Sequence, residues 1–194
     1  NQLAALGERE AAAAVYRRIV ELEPAVAGVA LHNLAIMYEQ AGDVAAALGA
    51  YGEALAADPT QEPSLEAAGR LLRAERRWPE ALAAWRALLA IRPDHPHARE
   101  AGADLAWRLG RFDVVEDLLP AEAIAARGPH ARRLRTIARL AQGDAAEALA
   151  LLEGLPEDYL DAWVDRGQAL EALDRPEEAV AAYERAHPAD GRRA

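Results

Sequence analysis

One alanine position recurs at a nearly fixed interval, and that recurrence restricts the fold more than any bulk property of the chain. The segments Gly7-Glu-Arg-Glu-Ala-Ala12-x3-Tyr16, Gly42-Asp-Val-Ala-Ala-Ala47-x3-Tyr51, Arg76-Arg-Trp-Pro-Glu-Ala81-x3-Trp85, Gly143-Asp-Ala-Ala-Glu-Ala148-x3-Leu152 and Asp174-Arg-Pro-Glu-Glu-Ala179-x3-Tyr183 share one pattern. A weaker copy, Gly110-Arg-Phe-Asp-Val-Val115-x3-Leu119, fills the gap. The recurring residue stands at 12, 47, 81, 115, 148 and 179, in steps of 35, 34, 34, 33 and 31. A unit this short cannot enclose a core, so it must bury its apolar face on its neighbours.

Each copy predicts a helix with one apolar stripe. Ala47, Leu48, Tyr51, Ala54 and Leu55 fall on one helical face, and Ala81, Leu82, Trp85, Leu88 and Leu89 repeat the spacing. Pro79 and Pro176 suit a first helical turn. Asp58-Pro59 and Arg92-Pro93 stop helices, because proline cannot continue one. A second stripe precedes each copy: Leu31, Leu34, Ala35 and Tyr38; then Leu65, Ala68, Gly69 and Leu72; finally Trp163, Gly167 and Leu170. The small residue in each stripe lets a neighbouring helix approach. Apolar residues make up 52% of the chain and aromatics only 5%, with alanine abundant, which favours closely packed helices. Period-two runs of Val, Ile, Thr and Tyr are missing.

This pattern resembles the tetratricopeptide repeat: an aromatic or Leu, then Leu-Gly/Ala, then Tyr or Leu in the first helix, a Gly-Asp-type turn, and Ala, Tyr/Phe and Ala in the second helix before a closing Pro. The resemblance covers nearly the whole chain. It implies an all-α fold, a right-handed superhelical solenoid of stacked helix-turn-helix repeats. Arg76 and Asp174 depart from the usual turn glycine, and the fourth copy has Pro120 inside its second helix and its closing proline late, at Pro129. The phase predicts one array over 1–188: a partial repeat at 1–24, then repeats at 28–61, 62–95, 96–128, 129–159 and 160–188, with 189–194 as a tail. Residues 1–6 read as the last turns of a first helix, so the expectation is an array cut from a larger protein, with sequence missing on the N-terminal side.

In the family that the chain resembles, the first helices line a concave groove that holds a partner segment. A rigid wall loses little entropy on binding an extended ligand. The phase places His32, Asn33, Ile36 and Glu39 there, then Glu66, Arg70 and Arg73, then Glu100, Asp104, Trp107 and Arg108, and in the last repeat Asp161, Asp165 and Gln168. Asn33, Arg70 and Arg73 are residue types that family members use to clamp a C-terminal carboxylate, but the full set is missing. Trp107 is a candidate anchor, since tryptophan is enriched in binding hot spots. Trp85 and Trp163 are assigned to the core, and Trp78 to the turn.

Residues 127–139 carry Arg127, His130, Arg132, Arg133, Arg135 and Arg139 with no acidic residue among them. Counting back from Gly143 puts Arg132, Arg135 and Arg139 on core positions, which unpaired charge does not tolerate. Either the turn is one residue longer or the helix is rotated, with Pro120 and 121–128 as the cause; a one-residue shift turns Arg132, Arg133 and Arg139 to the groove, with Leu134, Ile137, Ala138 and Ala141 to the core. Two readings follow. Arg132, Arg133, Arg135 and Arg139 form an anion-binding patch, for which the arginine fork is suited, or they pair with Asp144, Glu147, Glu153 or acidic residues of the preceding repeat.

The expected function is therefore a protein-interaction scaffold rather than an enzyme, binding a peptide or protein segment in its groove. The alternative is a repeat module attached to a larger bacterial enzyme (a methyltransferase, sulfotransferase or glycosyltransferase), serving substrate recognition or dimerisation. All 22 basic residues are arginine, as a GC-rich bacterial coding bias gives. A third reading is a homodimer through the N-terminal helix face. The net charge of −10 argues against nucleic acid. No apolar run reaches the length of a membrane span. Cysteine is absent, which removes disulfides and thiolate chemistry but leaves the compartment open, with the cytoplasm preferred to the periplasm. No cofactor or metal is expected: Asp94, His95, His97 and His130 are the nearest to a ligand set, and three of them sit in one inter-repeat loop. Ser64 is the only serine, with no histidine near it in sequence, which argues against a Ser-His-Asp site.

Overall fold

A computed structural model describes residues 2–124 and 127–187. Every regular element among them is a helix. In chain order these are α1 (Gln2–Leu22), a 3-10 turn (Pro24–Val26), α2 (Ala27–Gln40), α3 (Val44–Ala57), α4 (Glu62–Ala74), α5 (Trp78–Ile91), α6 (Ala98–Arg108), α7 (Phe112–Leu118), α8 (Ala121–Ile124), α9 (Pro129–Gln142), α10 (Ala145–Leu151), α11 (Leu160–Ala172) and α12 (Pro176–Ala186). The fold is all-α and built of helix-turn-helix pairs. The chain divides into two compact units, Asn1–Ala98 and Arg99–Ala194. The tail at 189–194 lies outside the described residues.

In the first unit α1 packs on α2, α2 on α3, α3 on α4 and α4 on α5. In the second, α9 packs on α7, α10 and α11, and α11 on α10 and α12. The recurring residue of the sequence is the centre of each pair: Ala47, Ala81, Val115, Ala148 and Ala179 are all 1% exposed or less. Around them Leu34, Leu82, Leu88, Leu105, Leu119 and Leu134 are fully buried, each contributing about 2 kcal/mol by leaving water. The small residue of the first helix meets the large residue four positions past the recurring one. An ideal Cβ on Gly69 would lie 3.0 Å from the Trp85 ring, and one on Gly167 only 2.3 Å from the Tyr183 ring.

The turn between paired helices has one geometry throughout. Gly42, Arg76, Gly110, Gly143 and Asp174 all have positive φ, between 57° and 85°. Glycine enters that region freely, and a side chain is strained there. Arg76 and Asp174 therefore keep the turn against their own preference, held by the packing on either side. Asp43 and Asp144 cap the following helices, accepting from the backbone N–H of Ala46 at 3.0 Å and of Glu147 at 3.2 Å. Replacing Arg76 with glycine is expected to stabilise the first unit by about 1 kcal/mol, and Asp174→Gly the second by less, because aspartate tolerates this conformation better. Urea midpoints of the two variants check the order.

Two local differences from the sequence expectation have physical causes. Helix α1 runs unbroken through Gly7, where a turn is expected. Glu8 lacks the short side chain with which Asp43 caps, and no proline follows until Pro24. Helix α7 stops at Leu118, one residue short of Leu119-Pro120. Proline both lacks the N–H and disfavours helix at the residue before it, so this second helix has only 7 residues.

Candidate peptide-binding cleft

Residues of α2, α3 and α4 enclose a cleft of about 500 Å3 in the first unit. His32, Ile36 and Arg70, assigned to the groove from sequence, line it, together with Glu39 and Glu66. Asn33 and Arg73 lie exposed and are not part of its lining.

The floor is Tyr51, which periodicity assigns only to the core. Its ring is 1% exposed, but its hydroxyl reaches the cleft and donates to Glu39 Oε2 at 3.0 Å. A tyrosine at the buried aromatic position carries a polar tip that needs a partner, and that was the legible signal. Arg70 donates to the other oxygen of the same carboxylate, which assembles Tyr51, Glu39 and Arg70 into one network. The Glu39 hydrogen bond, its charge and that of Glu66 hold the Arg70 guanidinium above its usual range. With Arg70 held in this way, no carboxylate clamp of Asn33, Arg70 and Arg73 is assembled.

His32 brings a pairing that sequence distance concealed. Its Nδ1 lies 2.9 Å from Ser64 Oγ, across 32 residues of chain. Stacking of adjacent first helices brings together residues about one repeat length apart. The arrangement is not nucleophilic, because Ser64 is fully buried and its hydroxyl donates to Gln61 Oε1 at 2.6 Å. The Ser64 oxygen therefore accepts from His32 Nδ1–H, which leaves Nε2 as an acceptor. Burial lowers the His32 pKa and favours this neutral form.

Burial and the Glu39 hydrogen bond push the Tyr51 hydroxyl up from 10 to about 12. The folded state thus favours neutral tyrosine. Its contribution to stability is intact below pH 10 and is lost as pH rises through about 12. Alkaline unfolding should begin within that window, and Tyr51→Phe should flatten the pH dependence there. A denaturation series from pH 9 to 12.5 (roughly spanning both values) reads this directly.

In the second unit the groove positions are closed by opposite charges. Asp104 accepts from Arg108 Nε at 3.0 Å and lies 4.0 Å from His130 Nε2. The Arg108 guanidinium sits 5.5 Å from the centre of the half-buried Trp107 ring. Arg133 donates to Asp165 at 2.6 Å and Asp161 at 2.9 Å. Burial pushes the Asp165 carboxyl above its ordinary range. Trp163, assigned to the core, is half-buried and packs against the core of Leu170, Ala179 and Ala182. The guanidinium groups of Arg166 and Arg185 lie 5.3 and 4.7 Å from its ring centre, and its Nε1 donates to Glu157 O at 2.9 Å.

The remaining arginines of α9 correct the shifted phase. Arg135 is 3% exposed and Thr136 fully buried, so the original count from Gly143 holds. Leu134 and Ala138 are buried as expected, but Ile137 is only half-buried and Ala141 exposed. Charge is tolerated because it is paired. Arg135 donates to Leu119 O at 2.6 Å and Glu147 Oε1 at 3.1 Å. Arg139 makes ion pairs with Glu116 at 2.8 Å and Glu147 at 3.1 Å. Arg132 donates to Leu151 O at 2.8 Å and also to Glu153 O. The cause lies in α7 and α10, which have 7 residues each. A helix leaves its last carbonyls without partners, and both short helices end beside α9. Arginine, with five donors, satisfies them and suits the negative end of the dipole.

Sequence models of the tetratricopeptide repeat match residues 30–63, and 66–129 with 136–193. The chain belongs to the tetratricopeptide repeat family. No curated protein matches it. Among solved structures it is similar to MamA, with a TM-score of 0.72 at 17% identity over 84% of this chain and 91% of that one. It is equally similar to YrrB, described as a TPR protein with an unusual peptide-binding site: TM-score 0.72, 16% identity, 88% and 90% coverage. A tetratricopeptide repeat protein from Parabacteroides merdae aligns with a TM-score of 0.59 at 20% identity, over 94% of this chain and 74% of its own.

As a tetratricopeptide repeat chain, it follows the family phase in every helix pair from α2 onward. The inter-repeat loop at 94–97 is structural: His95 is buried, and its Nδ1 accepts from Ala98 N–H at 3.2 Å. Among the described residues no three His, Asp or Glu side chains converge on one point.

Proposed function

We propose that this chain is a protein-interaction scaffold that binds an extended segment of another protein across α2 and α4, in the cleft above Tyr51. The observation that carries this reading is the cleft itself. It joins apolar contact surface (Ile36, Ala67 and Pro63) to hydrogen-bonding groups fixed in advance (His32, Glu39 and Arg70). Such a site needs little rearrangement to bind, so more of the interaction energy survives as affinity. YrrB's description as a peptide-binding TPR protein supports the reading by analogy of fold. Arg132, Arg135 and Arg139, whose donors go to helix-end carbonyls, Glu116 and Glu147, serve the fold.

The test is affinity capture from the source lysate with three forms of the chain. Ile36→Glu with Ala67→Glu should release a partner that the native chain retains. Gly52→Arg with Glu53→Arg on the exposed side of α3 should keep it. A partner lost equally from both variants, or kept by both, sinks the proposal.

A further inference from the structure

The cleft's polar groups are not balanced. Glu39 and Glu66 face it with one cation, Arg70, between them. Arg70 is the partner of Glu39. Glu66 is half-exposed, and the edge of the His95 ring approaches it, with Nε2 3.6 Å from the carboxylate. The His95 Nδ1 accepts a backbone N–H, so Nε2 carries the ring proton and meets Glu66 only at long range.

Three donors of the cleft are already committed. The Tyr51 hydroxyl and the Arg70 guanidinium both point at Glu39. Nδ1–H of His32 is given to Ser64. The acceptors that remain are the Glu66 carboxylate, the second lone pairs of Glu39, and His32 Nε2; the Gln40 amide and the other N–H groups of Arg70 also line the cleft. Beside these acceptors lie Ile36, Ala67 and Pro63, a surface suited to an aliphatic stem.

Resting on the peptide-binding reading above, we infer that the cleft takes a basic side chain of the partner segment, an arginine or lysine whose head lies between Glu66, Glu39 and His32 Nε2 and whose stem lies on Ile36. A cation restores the charge balance of a site with two carboxylates and one guanidinium, and its donors match the three acceptors. An acidic side chain would meet two carboxylates and only an arginine already paired.

The test uses the full chain, isotopically labelled, and three blocked heptapeptides of otherwise uncharged residues. Their central residue is arginine, its uncharged isostere citrulline, or glutamate. The arginine peptide should shift the amide resonances of His32, Glu66 and Arg70 and bind about tenfold more tightly than the citrulline peptide, since a charged hydrogen bond adds roughly that factor. Glu66→Gln, a change at a half-exposed position, should reduce the arginine peptide to the citrulline level. Weakening with added salt should accompany the arginine peptide alone. If citrulline or glutamate binds equally well at the same resonances, the cation inference falls and the cleft remains a peptide site. If the arginine peptide shifts resonances elsewhere, the inference falls as well. If no peptide shifts these resonances, both readings fall together.

Discussion

Glu147→Ala is expected to remove about 3 kcal/mol from the stability of the second unit, far more than a surface ion pair contributes. Glu147 touches two arginines, Arg135 at 3.1 Å and Arg139 at 3.1 Å. Arg139 keeps Glu116 when Glu147 is removed. Arg135 keeps only the Leu119 carbonyl, and at 3% exposure its charge has no water to turn to. Breaking a buried pair from one side is costly because the remaining charge stays desolvated. Glu147 is itself about one-third exposed, so the figure belongs at the lower end of the range for buried pairs. Adding Arg135→Met should not deepen the loss, and should recover about 1 kcal/mol by removing the stranded cation. The double variant still leaves Leu119 O without its donor, at roughly 1–2 kcal/mol. Urea unfolding of the two single variants and the double one closes the cycle. A Glu147→Ala loss under about 0.5 kcal/mol would show that Arg135 is solvated and refute its structural role.

Glycine-to-alanine changes should have opposite signs at different helical positions. Alanine favours helix over glycine by about 1 kcal/mol. At Gly49 and Gly52 in α3 an added Cβ meets nothing within 4 Å, so each substitution should stabilise by about 0.5–1 kcal/mol. At Gly167 the Cβ would lie 2.3, 2.5 and 2.7 Å from three atoms of the Tyr183 ring. The ring can yield only by withdrawing its hydroxyl from Glu171, now 2.8 Å away. Overpacking costs about 1–3 kcal/mol and outweighs the propensity gain, for a net loss of about 1–2 kcal/mol. Gly69, with its Cβ at 3.0 Å from Trp85, should be the milder case. Thermal midpoints of the four variants decide it, and a stabilised Gly167→Ala would contradict the close packing of α11 on α12.

Much of the fold was legible in the chain alone. The recurring alanine marked the five pair centres, and the residue five positions before it marked every turn. Those features depend on residues within one or two helical turns of each other, and local spacing records them directly. Groove-facing His32, Ile36 and Arg70 followed from the same phase. The arginines of α9 did not. Read as sequence, a charge at a core position looked like an error of register, and a shift of one residue removed it. The register was sound, and the resolution lay in partners 8 to 23 residues away: Glu147 and Leu119 for Arg135, Glu116 and Glu147 for Arg139. Ser64 shows the same limit, since its histidine stands 32 residues off, near one repeat length, and only stacking brings them to 2.9 Å.

The sequence by itself determined the repeat length, the helical class, the turn positions and the buried stripe, because periodicity is a property of neighbouring residues. Only the tertiary structure decided which charges are free to bind and which are already used. Pro120 cut one helix short, the exposed carbonyls at its end drew an arginine from the next repeat, and that distance-dependent match between donors and acceptors is written in no local pattern.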